Sequence, residues 1–290
     1  MTHTHCSSVN RIGIMRQVNL LPNIITAFSL TCGLFVIFKT NMIEPGAGTY
    51  QILYSSSLLL LLAAFADLLD GAVARAIRAE SEFGFMFDSL ADAVSFGIAP
   101  SVLMLKSLSL EQGTGLSFFA IIGAMLFSIC GVLRLVRFNV KATEARGNAE
   151  AQAANKKNFT GLPIPAAAMA AVGMNLFLAS PLGVKWFPWY DDTKAMILTS
   201  SMMVLGYLMI SRWKFPSAKA LHFRVPSVQL VFGTVIIGIF ILYGILYYFP
   251  VMLFTSCWGY IILSAVLASI RLIAGKKSRT LVDFEPEQEE

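Results

Sequence analysis

Apolar stretches long enough to form membrane-crossing helices recur along the chain, separated by short polar connectors. The first, "LPNIITAFSLTCGLFVIF", begins at Leu21, and the run "LLLLLAAF" begins at Leu58. About 20 predominantly apolar residues cross the hydrocarbon as a helix. Backbone groups cannot go unpaired there, so this pattern admits only helices as spanning elements. It predicts eight spans, at residues 21–38, 52–78, 85–105, 117–140, 162–180, 195–211, 227–249 and 251–272. The expected fold is an all-α polytopic membrane helix bundle. The 52–78 stretch exceeds the hydrocarbon thickness, so its second half, from Asp67, is expected to emerge into the cytoplasmic interface.

Charge sets the expected orientation. With both termini in the cytoplasm, inside segments hold 18 of the 22 Lys and Arg residues. Lys39, Lys106, Lys185 and Lys194 are the 4 left outside. Cationic residues concentrate in cytoplasmic loops, so the asymmetry favours this orientation and an even number of spans. Arg11 and Arg16 before the first apolar run resemble a signal sequence, but the run reads as an uncleaved first helix. The expected organisation is a cytoplasmic arm over 1–20, a six-span core over 21–220, two further spans over 221–275 and an acidic tail over 276–290.

Composition agrees: 56% of residues are hydrophobic and 13% charged, against about 25% charged in soluble domains. The net charge of +5 reflects the inside loops, so no nucleic-acid partner is expected. Cys6, Cys32, Cys130 and Cys257 form no CxxC pair and read mostly as small apolar residues.

One stretch breaks the oil-like pattern: "DLLDGAVARAIRAESEFGFMFDSLAD", residues 67–92. Asp67 and Asp70 are three apart and share a helical face, and Asp88 and Asp92, four apart, share another. They sit at the joined ends of two consecutive, antiparallel spans, so the pairs are expected at similar depth, facing each other. Carboxylates converging in a low-dielectric site repel, and intramembrane carboxylates are functional candidates by default. Two divalent cations, Mg²⁺ or Mn²⁺, would offset that charge and leave positions open for substrate phosphates. A paired-metal site suits a diphosphate. Gly71 offers close backbone approach, Ala74 keeps the face small, and Arg75 brings a planar fork suited to phosphate. A cation-transport site is the alternative from another class.

The spacing Asp67-x2-Asp70-Gly71-x2-Ala74-Arg75-x8-Gly84-x3-Asp88-x3-Asp92 resembles the full signature of the CDP-alcohol phosphatidyltransferases. The resemblance implies an integral-membrane enzyme that moves a phosphatidyl group from a CDP-linked lipid to an alcohol, releasing CMP. The segments at 21–35, 87–101, 134–140, 159–168 and 211–219 are similar to family members whose acceptor is L-serine. "TAFSL" departs from them at Phe28 or Ser29, where they often carry Asn. Glycerol 3-phosphate or inositol phosphate as acceptor, or an archaetidyl donor, stay open.

Carried over by position, the resemblance implies that Asp67, Asp70, Asp88 and Asp92 hold two metal ions and that Asp92 is also the general base. Gly71, Ala74, Arg75 and Ser81, with Asn23 and Thr26 of the first span, would meet CDP-diacylglycerol. Arg134, Arg137 and Asn139 of "RLVRFNV" would bind the serine zwitterion, since an arginine fork suits a carboxylate. The prolines of "GLPIP" (161–165) read as a helix-entry turn. The lipid bilayer and a second copy of the chain, as a homodimer, are the other expected partners. The expected setting is a cell membrane, the inner one if the source is bacterial, with the site facing the cytoplasm.

Overall fold

A computed structural model describes residues 20–42, 44, 50–77, 81–111, 113–144, 159–186, 190–211, 214–215, 243–244 and 247–267. Helix α1 spans Leu20–Asn41 and α2 spans Tyr50–Ile77. The next span is composite: α3 (Glu82–Asp92), a π-helical turn (Ala93–Ile98) and α4 (Ala99–Ser107). Then follow α5 (Gly115–Glu144), strand β1 (Phe159–Thr160), α6 (Ile164–Ala179), the short α7 (Pro181–Trp186), α8 (Asp191–Ile210) and strand β2 (Lys214–Phe215). Helix α9 covers Tyr247–Leu267.

Six of the described helices are long and apolar enough to cross a membrane. Their outer faces carry large apolar side chains such as Phe28, Phe35, Phe65, Phe118 and Ile129. Monomers in water rarely expose contiguous apolar patches beyond a few hundred Å², and these faces suit lipid instead. The span expected at 162–180 is the 16-residue α6, shorter than the others. The span expected at 227–249 lies almost wholly outside the described residues, as do the N-terminal arm, the 145–158 loop and the acidic tail. The structure therefore supports a multi-pass helical bundle at a coarser level than eight counted spans.

Helix α6 is the centre of the bundle. Twelve of its 16 residues are buried, including Ala167, Ala168, Ala170 and Ala171. Small side chains let helices approach where lipid provides no hydrophobic drive between them. The same device joins α5 to α8: a Cβ at Gly123 would lie 2.6 Å from Thr199, and one at Gly206 would lie 3.4 Å from Cys130. Helix α9 packs on α6 through stacked Phe177 and Phe254 rings, centroids 4.7 Å apart. The Trp258 indole N–H donates to the Ala170 carbonyl at 3.1 Å.

The entry to α6 is a turn, as its prolines predict. Gly161 has φ +80°, where an added Cβ would meet the Met209 carbonyl oxygen at 2.4 Å. The Leu162 N–H donates to the Leu208 carbonyl at 3.0 Å. One β1–β2 ladder, Phe159 with Phe215 and Thr160 with Lys214, closes the same corner. The start of α6 is thereby tied to the end of α8.

Candidate active site

The four aspartates come from two helices. Helix α2 supplies Asp67 and Asp70 near its C-terminal end, and α3 supplies Asp88 and Asp92. Ser81 starts α3: its backbone is extended (φ −116°, ψ 152°) and its Oγ accepts the Gly84 N–H at 3.0 Å. Such a cap satisfies an N–H that the helix leaves unpaired. Glu82 in the first turn adds a charge the helix dipole favours. Helix geometry then carries Asp88 and Asp92 back toward α2.

Asp67, Asp70 and Asp88 converge, each presenting a carboxylate oxygen within 4.8 Å of the others. Asp70 is only 4% exposed. Asp92 joins through Asp67, whose carboxyl group lies in hydrogen-bonding contact with its own. Both expected pairs therefore meet.

Directly after Asp92 the helix widens into the π turn, where the Ala99 N–H reaches back five residues to the Val94 carbonyl. Such turns occur frequently at functional sites. The Gly97 carbonyl within it accepts the Ser128 hydroxyl of α5 at 2.9 Å. "AVSFGI" contains neither proline nor a polar run, so nothing in the sequence signals this turn.

Helix α1 has no carboxylate, yet it is wired into the cluster. Thr26 Oγ1 lies 2.5 Å from Asp70 Oδ2 and 3.0 Å from the Pro22 carbonyl oxygen. Ser29 donates to the Ala63 carbonyl at 3.1 Å, and Ser95 donates to the Ser29 carbonyl at 3.2 Å. Ser29, Ser95 and Ser89 are site-supporting residues that sequence reasoning missed. Each makes a contact between elements distant in sequence, which no local pattern encodes.

The remaining expected residues lie at the same end of the bundle. Asn23 sits over Gly84, where a Cβ would come within 2.9 Å of its Oδ1. The Arg75 guanidinium folds back along α2, 3.4 Å from where a Gly71 Cβ would stand. Ala74 is half-buried beside them. On α5, Arg134 feels the charge of Asp92, and its Nε is buried with no hydrogen-bond partner among the described residues. Arg137 donates to the Ile210 carbonyl at 3.0 Å, at the C-terminus of α8. Asn139 donates to Ser89 Oγ at 2.9 Å, joining α5 to α3. Of the three residues expected to meet serine, Arg134 interacts with Asp92, while Arg137 and Asn139 each bond a neighbouring helix.

This donor set fits hard divalent cations, which take oxygen ligands. Two oxygens on one Mg²⁺ lie at most about 4.2 Å apart, twice a bond of about 2.1 Å. The observed spread of up to 4.8 Å therefore matches ligands shared between two ions, or drawn in slightly by one.

A family model described as CDP-alcohol phosphatidyltransferase matches residues 19–270. A Helicobacter pylori protein named CDP-diacylglycerol–serine O-phosphatidyltransferase is 32% identical over 241 residues, covering 78% of this chain and 90% of the relative. A Bacillus subtilis protein of the same name is 33% identical over 202 residues, covering 70% of this chain and 93% of the relative. One from Methanocaldococcus jannaschii is 35% identical over 176 residues, 61% of this chain and 71% of the relative.

Proposed function

The chain belongs to the CDP-alcohol phosphatidyltransferase family, and on that footing we propose that it transfers the phosphatidyl group of CDP-diacylglycerol to the hydroxyl of L-serine, releasing CMP. The observation that carries this is the convergence of Asp67, Asp70 and Asp88, with Asp92 in contact with Asp67. The names of the similar proteins support serine as the acceptor.

Asp67, Asp70, Asp88 and Asp92 would hold two Mg²⁺ or Mn²⁺ ions. When bound, such ions neutralise the diphosphate and stabilise the departing CMP. Asp92 accepts the proton of the serine hydroxyl as its oxygen attacks the β-phosphorus. A bond forms between serine Oγ and that phosphorus, and the bond from it to the bridging oxygen of CMP breaks. A base placed this way contributes roughly 10²–10⁴-fold. Gly71, Ala74, Arg75, Ser81 and Asn23 line the donor side, where the Arg75 guanidinium meets phosphoryl charge.

Arg134 is the residue of α5 best suited to the serine carboxylate, since its Nε is an unsatisfied buried donor beside Asp92. Arg137 and Asn139 complete that pocket by holding α8 and α3 around it. The site faces the cytoplasm, where CMP and serine are water-soluble, while the acyl chains of the donor stay in lipid. The core over 21–220 carries the chemistry, 221–275 flanks it, and the working form is a homodimer.

Purified protein incubated with CDP-diacylglycerol, Mn²⁺ and labelled serine should form labelled phosphatidylserine with matching CMP. Incorporation of glycerol 3-phosphate or inositol phosphate in place of serine would overturn the acceptor. Metal flux without CMP release would point instead to cation transport.

A further inference from the structure

Among the contacts of α1, the one between Thr26 and Asp70 bears most directly on the carboxylate cluster. Both residues are buried, 3% and 4% exposed, on helices whose sequence positions differ by 44. The Oγ1···Oδ2 distance of 2.5 Å is at the short end for a hydroxyl on a charged acceptor. The Pro22 carbonyl competes for the same proton at 3.0 Å and is the more distant acceptor. A carboxylate held in this way has its rotation fixed and one acceptor direction occupied. Its remaining lone pairs are then presented in one orientation.

The neighbouring bonds on α1 extend the effect. Ser29 grips the carbonyl of Ala63, one turn before Asp67, and its own carbonyl is gripped by Ser95, three residues after Asp92. A helix without a single acidic residue therefore spans the two helices that carry all four carboxylates. The sequence expectation for Thr26, contact with the CDP-lipid, leaves this bond unexplained.

We propose that Thr26 is a positioning residue for the metal site: its hydroxyl orients the Asp70 carboxylate toward the cations, and α1 is the template that registers α2 against α3. The proposal rests on the two-metal reading above. Groups that hydrogen-bond a metal-ligating carboxylate are worth 10–100-fold in metal affinity or activity.

The test is Mn²⁺ affinity of the purified full-length chain in detergent, read from the electron paramagnetic resonance signal of free Mn²⁺ and needing no turnover. Thr26→Val removes the hydroxyl at nearly constant volume and should weaken Mn²⁺ binding by about 10–100-fold. Thr26→Ser keeps the hydroxyl and should bind close to wild type. Thr26→Ala carries the same expectation as Val if the Val variant does not fold. Wild-type Mn²⁺ affinity in the Val or Ala variant would overturn the proposal. So would an equal loss in the Ser variant, which would assign the effect to the methyl group. Absence of Mn²⁺ binding by the wild-type chain is the distinct result that would remove the two-metal reading itself.

Discussion

Gly33→Ala probes whether α1 acts on the site through geometry alone. Gly33 lies two turns beyond Thr26 and is not among the residues expected to meet metal or substrate. A Cβ there would stand 2.3 Å from Ser95 Oγ, 2.8 Å from Ser95 Cβ and 2.7 Å from Ser95 Cα. The hydroxyl can rotate away, but the backbone cannot. Carbon–carbon contacts are optimal at about 3.5–4.0 Å, so α1 and the π turn must part by about 1 Å. Ser95 follows Asp92 by three residues, so part of that shift reaches the proposed general base. Overpacking of this kind costs about 1–3 kcal/mol of stability, and a 1 Å misplacement at a reacting centre can cost about 10²-fold in rate.

The assay pairs a thermal unfolding midpoint in detergent with phosphatidylserine formation at saturating CDP-diacylglycerol. The expected result is a modest fall in the midpoint and a 10–100-fold fall in turnover. Gly259→Ala is the control, since nothing lies within 4 Å of the position its Cβ would take. It should leave turnover unchanged and, as a helix-interior Gly→Ala change, gain up to about 1 kcal/mol. Wild-type turnover and stability in Gly33→Ala would refute the close approach of α1 to the π turn.

Further outcomes follow from single contacts. Asp92→Asn should lower turnover by roughly 10²–10⁴-fold while CDP-lipid binding, measured by displacement of a labelled donor, stays near normal. Gly84→Ala places a Cβ within 2.9 Å of Asn23 Oδ1 and 3.0 Å of Ser81 Oγ, so it should raise KM for CDP-diacylglycerol more than it lowers kcat. Trp258→Phe removes the donor to the Ala170 carbonyl. It should cost about 1 kcal/mol in unfolding experiments, with turnover retained because the lost bond goes to the α6 backbone and to none of the expected site residues.

What the sequence made legible was periodic. The three- and four-residue spacings of the aspartates place each pair on one helical face whatever surrounds them, and the antiparallel hairpin between α2 and α3 does the rest. The turn before α6 was readable from its prolines. Contacts across the bundle were not. Thr26 reads through the resemblance as a CDP-lipid contact, and only the packing of α1 on α2 brings it to Asp70. No local pattern announced the bond that Arg137 makes to the end of α8 or the one that Asn139 makes to Ser89. Helix α6 shows the limit of hydropathy: a helix buried all round by protein and one facing lipid are equally apolar. Its 16 residues therefore read as an ordinary span rather than as the bundle's core.

Crystals of the full-length chain grown with Mn²⁺ and measured at the manganese absorption edge examine the cation cage most directly. Two anomalous peaks per chain are expected among Asp67, Asp70, Asp88 and Asp92, within about 2.0–2.4 Å of their oxygens. Manganese bound at other positions, with these four side chains free of it, would contradict the assignment.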